Sequence, residues 1–157
     1  MKVAAYQAPY LPFGSLDAVE LICEQLATCA ARGVEILCCP EAVIGGLAHE
    51  SAGQSPADVA FEVGDGALTA VVAPLLGSPV TAIVGFTERD AAGNLFNAAA
   101  VLEGGRIAAV HRKSFPGYRT VIQAGGELRV LRRSTTWFFL RRSERQRAAT
   151  KAASRSA

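Results

Sequence analysis

A glutamate and a lysine occupy settings from which a carboxylate can take a proton and an ammonium can steady a developing negative charge. Glu41 follows the apolar run Val34-Glu35-Ile36-Leu37-Cys38-Cys39-Pro40, and Lys113 ends the strand-like run Arg106-Ile107-Ala108-Ala109-Val110-His111-Arg112. A carboxylate just past a buried strand lies at the C-terminal edge of a sheet, where α/β proteins build their sites. Pro40 ends the strand there, and partial burial would raise the carboxyl pKa toward that of a general base. Each residue also has a plainer reading. Glu41 could be a solvated loop glutamate, and Lys113, beside Arg112 and His111, an edge-strand lysine. The nucleophile that would complete such a pair is missing downstream: all four cysteines, Cys23, Cys29, Cys38 and Cys39, precede Lys113.

The elements that must position these groups follow from periodicity. Val3 to Ala8 reads as a strand. Asp17-Ala18-Val19-Glu20 has the pattern of a capping box, after which Val19, Ile22, Cys23, Leu26, Cys29 and Ala30 recur at helical spacing until Gly33 stops the helix. Val34 to Cys39 is apolar apart from Glu35, as in a strand covered on both faces. Residues 42–64 read as loop. A helix is predicted over Ala67 to Leu76, broken by Gly77-Ser78-Pro79. Strands are predicted over Val80 to Phe86, Leu95 to Leu102 and Arg106 to Lys113, joined by the turns Asp90-Ala91-Ala92-Gly93-Asn94 and Glu103-Gly104-Gly105. Strand, helix, strand, helix and a meander imply an α/β protein with a mixed sheet.

The bulk numbers set the class. With 157 residues, half of them apolar and 19% charged, the chain has the size and composition of about one globular domain. No apolar run reaches the roughly 18 residues of a membrane span, the N-terminus does not read as a signal peptide, and the expected location is cytoplasmic. The cysteines lack the paired spacing of a zinc site, and only His49 and His111 could help; they read as buried thiols in a reducing compartment. His49 reads as a loop residue and His111 as a strand-face residue.

Charge divides the chain. Residues 1–128 hold seven Lys/Arg against thirteen Asp/Glu, net −6, whereas residues 129–157 hold nine against the single acid Glu144, net +8. Leu128 to Leu131 and Thr135 to Leu140 could be strands, but from Arg141 onward no apolar period remains and the composition reads as disordered. Basic tails bind phosphate backbones, so nucleic-acid binding through Arg129 to Arg155 is one reading. Against it, Trp137, Phe138 and Phe139 are clustered rather than interleaved with the arginines.

Several ordered segments together resemble the nitrilase superfamily, the carbon–nitrogen hydrolases. These are Lys2 to Gln7 with Pro9, Leu37-Cys38-Cys39-Pro40-Glu41, Val84-Gly85-Phe86-Thr87-Glu88 and Gly93-Asn94-Leu95-Phe96-Asn97-Ala98-Ala99. Gly105-Arg106-Ile107 leading to His111-Arg112-Lys113 follows, then Pro116 and Tyr118. The likeness spans residues 2 to about 127. It implies an α-β-β-α sandwich with a mixed sheet, incomplete at its C-terminal side, and Glu-Lys-Cys hydrolysis of amides or nitriles with no metal or organic cofactor. It also implies a small-molecule substrate and, weakly, self-association. By match to the motif, Glu41 is the general base and Lys113 the group that stabilises the tetrahedral species. The chain departs from the pattern where the family's cysteine strand would fall, at Thr135-Thr136-Trp137-Phe138-Phe139-Leu140-Arg141-Arg142, which has no thiol; Glu127 is the one candidate for the family's second glutamate. The expectation is an N-terminal hydrolase part over 1–128, inactive alone, and a non-native or disordered segment over 129–157. The gene beyond the codon for Leu128, read in all frames, tests it. A catalytically dead binding or regulatory relative is the alternative.

Overall fold

Alternation of burial along the strands decides which face of the sheet carries helices and which carries chemistry. The computed structural model describes residues 1–114, 122–125, 131–133 and 136–138. Pro116, Tyr118, Glu127 and most of the basic segment lie outside them. The chain divides into two units, Met1–Gly125 and Gly126–Ala157.

In the first unit β1 (Val3–Ala5), α1 (Ala18–Ala31), β2 (Ile36–Cys38), β3 (Ala60–Glu62), α2 (Ala67–Val72), β4 (Thr81–Arg89), β5 (Leu95–Glu103) and β6 (Arg106–Arg112) follow in order. Six strands form one mixed sheet in the order β1-β2-β4-β5-β6, with β3 also on β4. β1, β2, β3 and β4 pair in parallel and β4, β5 and β6 antiparallel. Ala82, Val84 and Phe86 of β4 and Ala98, Ala100 and Leu102 of β5 join one core with Ile22 and Leu26 of α1 and Leu68 and Val72 of α2. Because strand side chains alternate, both helices cover the same face. The opposite face carries Ile83, Gly85 and Thr87 of β4 and Asn97, Ala99 and Val101 of β5.

The caps show how sequence sets these boundaries. α1 ends in a Schellman arrangement. Gly33, at φ +65°, donates to Ala30, and Val34 N–H reaches back to Cys29 O at 2.9 Å. Its start departs from the expected capping box. Asp17 is the N-cap but makes no side-chain cap bond, because its own backbone is already helical (φ −59°, ψ −21°) rather than extended. Ser15 Oγ instead accepts the Asp17 N–H at 3.0 Å. A capping box does form at Ser55 and Asp58, on a 3₁₀ turn over Pro56–Val59.

Other expectations shift for stated reasons. The second helix stops at Val72 and continues as a 3₁₀ turn, Ala73–Leu75, since Pro74 has no N–H for the next helical bond. The predicted loop 42–64 contains the short strand β3. The turn between β5 and β6 places Gly104 and Gly105 at φ +60° and +78°, the two positive angles a two-residue hairpin loop needs. In the second unit β7 (Leu131–Arg133) and β8 (Thr136–Phe138) form an antiparallel pair with Arg133 opposite Thr136. Among the described residues no helix is long and apolar enough to cross a membrane.

Candidate functional site

Glu41 owes its position to a gap in the pairing along one edge of β4. β2 occupies that edge at Thr81–Ile83, and β3 occupies it at Thr87–Arg89. Between them Cys39 N–H donates to Ile83 O at 2.9 Å and Ile44 N–H to Gly85 O at 3.1 Å. The residues from Pro40 to Val43 therefore leave the ladder and arch over Gly85. Pro40 cannot donate to a ladder in any case. Ala42 takes φ +46°, the only positive φ of a non-glycine among the described residues. That left-handed residue bends the chain immediately after Glu41, so that it rejoins β4 still parallel at Ile44 and Phe86, and it holds local strain of a kind that collects at functional sites.

Gly85 makes the arch possible. A Cβ there would come within 2.5 Å of Ala42 N and 2.6 Å of Pro40 O, so only glycine lets the two backbones approach this closely.

Asn97 and Lys113 come from the neighbouring antiparallel strands. Asn97 pairs with Thr87 in the β4–β5 register, and Lys113 follows β6 with its N–H donating to Asn97 O at 2.7 Å. Residues 72 apart in sequence thus meet: Lys113 Nζ donates to Glu41 Oε1 at 2.5 Å, and Asn97 Nδ2 donates to the same oxygen at 2.5 Å. The structure brings together the two residues singled out in the sequence and adds Asn97, quoted there only as part of a motif. The expected burial of Glu41 is not found. Its side chain is 45% exposed and that of Lys113 43%, because the arch lifts the carboxylate off the sheet edge.

On the other face of β6, Arg112 clamps the strand end that carries Lys113. Its Nε and Nη2 donate to the two oxygens of Glu88 at 2.8 and 2.7 Å, and the guanidinium stacks 3.8 Å above the Phe96 ring. Glu88 is buried, and its hydrogen bonds hold the Arg112 guanidinium above its ordinary pKa.

Beside Glu41 opens a cleft of about 260 Å³ with Tyr10, Leu11, Phe13, Val43, Leu47 and His49 among its walls. The walls are aromatic and aliphatic, and among the described residues Glu41 is their one carboxylate. His49, read as a solvated loop residue, is exposed at the cleft's rim, with its backbone N–H donating to Gln54 Oε1 at 3.0 Å.

Burial holds three of the four thiols toward their neutral form. Burial pushes Cys39 up to about 12, helped by the neighbouring Cys38 and Cys29, and burial also raises Cys38. Cys23 is raised by burial and by Glu20, and Cys29 is buried in the core. A thiolate is the attacking form. Among the described residues no three His, Cys, Asp or Glu side chains gather as a metal site would require.

No family model matches the chain, and no curated protein matches its sequence. Solved structures do match its fold. NitN amidase from Nesterenkonia sp. AN1 superposes with a TM-score of 0.69 at 18% identity, over 87% of this chain and 55% of the amidase. The glutamine-dependent NAD+ synthetase from Acinetobacter baumannii superposes with a TM-score of 0.64 at 20% identity, over 81% of this chain and 24% of the synthetase. The corresponding synthetase from Cytophaga hutchinsonii gives 0.62 at 18% identity, over 87% of this chain and 24% of the other. The chain thus spans about half the length of the amidase and a quarter of the synthetases. Its mixed sheet with a helical layer is the nitrilase-like, carbon–nitrogen hydrolase fold.

Proposed function

We propose that this chain carries the base and the charge-stabilising group of a carbon–nitrogen hydrolase acting on small amides or nitriles. The observation that supports it most is the convergence of Lys113 and Asn97 on one oxygen of Glu41. In this reading the Glu41 carboxylate takes the proton of an attacking thiol. As the thiolate sulfur bonds to the amide carbon, the carbonyl π pair moves onto oxygen, where the Lys113 ammonium donates a hydrogen bond. When the tetrahedral species collapses, the C–N bond breaks and the proton held by Glu41 passes to the leaving nitrogen. Glu41 then takes a proton from water for hydrolysis of the thioester.

The thiol is the part these residues do not supply. Cys39, Cys38 and Cys23 are held as neutral thiols, and Cys29 belongs to the core. The chain alone is therefore a binding scaffold without turnover. The cleft beside Glu41 supports a neutral, largely apolar small molecule as its occupant. In the E41Q mutant of the structural neighbour from Nesterenkonia, acrylamide has undergone Michael addition at the active-site cysteine, which fits a small amide as the ligand here.

Two measurements test this reading. Purified chain incubated with simple aliphatic amides is expected to release no ammonia above the uncatalysed rate; release at enzymatic rates overturns the assignment of the thiols. Millimolar propionamide is expected to slow carbodiimide labelling of Glu41, while an equal concentration of propionate leaves it unchanged. Equal labelling with and without the amide removes the site assignment.

A further inference from the structure

Asn97 touches both chemistry-bearing residues, and with different atoms. Its backbone carbonyl accepts the N–H of Lys113 at 2.7 Å, and its side-chain Nδ2 donates to Glu41 Oε1 at 2.5 Å. The first bond belongs to the sheet edge and any residue would make it. The second depends on a side chain with a donor at this length. Asn97 is placed for it by register: it stands opposite Thr87 on the face of β5 that carries no helix, one residue before the Ala98–Arg112 pair.

Both donors choose Oε1. Among the described residues nothing bonds Oε2, so one carboxylate oxygen is held and the other is left with its lone pairs available. A half-exposed glutamate paired only with a lysine would sample several rotamers, because a flexible ammonium on a four-carbon stem imposes little direction. An amide on a strand does impose direction, since its side chain has two torsions and its backbone is locked in the ladder.

We infer that Asn97 is a positioning residue: it fixes Glu41 through Oε1 so that Oε2 is the oxygen that exchanges protons. The role given to Oε2 rests on the hydrolase reading. The grip of Asn97 on Glu41 does not, and it can be measured without substrate.

The test is the rate at which a water-soluble carbodiimide with an amine nucleophile labels Glu41, followed by peptide mass spectrometry across pH 5 to 7 (roughly the span in which carboxyls still react). Glu20, an exposed helical carboxylate, is the internal reference. A carbodiimide must reach a carboxyl oxygen, so each donor already held on Glu41 competes with it. N97L is expected to speed Glu41 labelling relative to Glu20 by about threefold, the scale of an exposed charge-assisted contact. N97D keeps the shape but removes the donor and sets a second carboxylate against Glu41, so it is expected to speed labelling by more than N97L. The N97L effect should persist in a K113M background, because it does not pass through the lysine. Unchanged Glu41 rates in N97L, or loss of the N97L effect in K113M, overturn the inference. If N97L does not fold by circular dichroism, N97A, which is also neutral and without a donor, decides in its place. Failure here leaves the amide-protection experiment intact, so the two readings fall separately.

Discussion

Gly85 lies directly beneath the backbone of Ala42, so close that a methyl group on it would stand 2.5 Å from the Ala42 nitrogen. The arch that presents Glu41 therefore depends on the absence of one side chain on the neighbouring strand. G85A is expected to destabilise the protein by about 2 kcal/mol, within the range for overpacking a close contact, and to separate Glu41 from Asn97 and Lys113. Denaturant melts measure the first effect, and Glu41 labelling measures the second. A wild-type midpoint together with wild-type labelling would contradict the close approach.

The Arg112–Glu88 pair yields a different pattern. R112M leaves a buried carboxylate without its fork, which costs about 3–5 kcal/mol for a fully buried pair; half-exposure of the guanidinium brings this down to about 2 kcal/mol. The double substitution E88L/R112M is expected to be more stable than R112M, since no charge is then left unpaired. A double variant no better than the single one would show that stacking on Phe96, rather than charge, dominates.

Cys39 is expected to resist iodoacetamide in the native chain at pH 8. With its pKa pushed up to about 12, its thiolate fraction there is on the order of one in ten thousand. In guanidinium all four cysteines should react at similar rates. Alkylation of native Cys39 as fast as in denaturant would show that the apolar surroundings described for it are wrong.

Asp90 organises the β4–β5 connection. Its Oδ1 accepts the N–H groups of Ala92 and Asn94 at 3.0 and 2.8 Å, and Oδ2 accepts Asn94 Nδ2 at 3.0 Å. These bonds, the Asn94 side chain first among them, hold the Asp90 carboxyl below its ordinary value. A lowered folded pKa gives stability that is present above the unfolded value of about 3.9 and lost as pH falls through the folded one. D90A should thus destabilise the chain at pH 7 and match the parent ever more closely as pH drops below about 4. A difference that does not change with pH would mean the carboxylate charge is not involved.

Much of this architecture was legible in the residues because local chemistry and tertiary context agree. The run ending at Pro40, the glycine after α1 and the Gly104-Gly105 turn each specify one conformation, and each is found. β3 was illegible because its three residues are all half-buried, without the alternation that marks a strand. Asp17 misled because a capping pattern is satisfied only if the cap residue is extended. Glu41 and Lys113 were singled out through their neighbours in sequence, and the structure brings the two side chains into contact. The contact of Asn97 with Glu41 was not legible, since the two lie 56 residues apart and only the strand register brings them together.

The edge of β4 is held in three separate places: by β2, by the single bridge from Ile44 to Phe86, and by β3. Between the last two runs an excursion over residues 45–59, whose closing 3₁₀ turn is fastened by Arg89 Nη2 on Ala57 O at 2.5 Å. Glu41 sits before the bridge, and the excursion touches its arch through the Gly46 N–H on Ala42 O at 2.9 Å. The excursion supplies Leu47 and His49 to the cleft. The cleft wall at Leu47 and His49 thus hangs from two backbone attachments, the bridge and β3, whereas the carboxylate is registered to the sheet through β2 and the arch over Gly85.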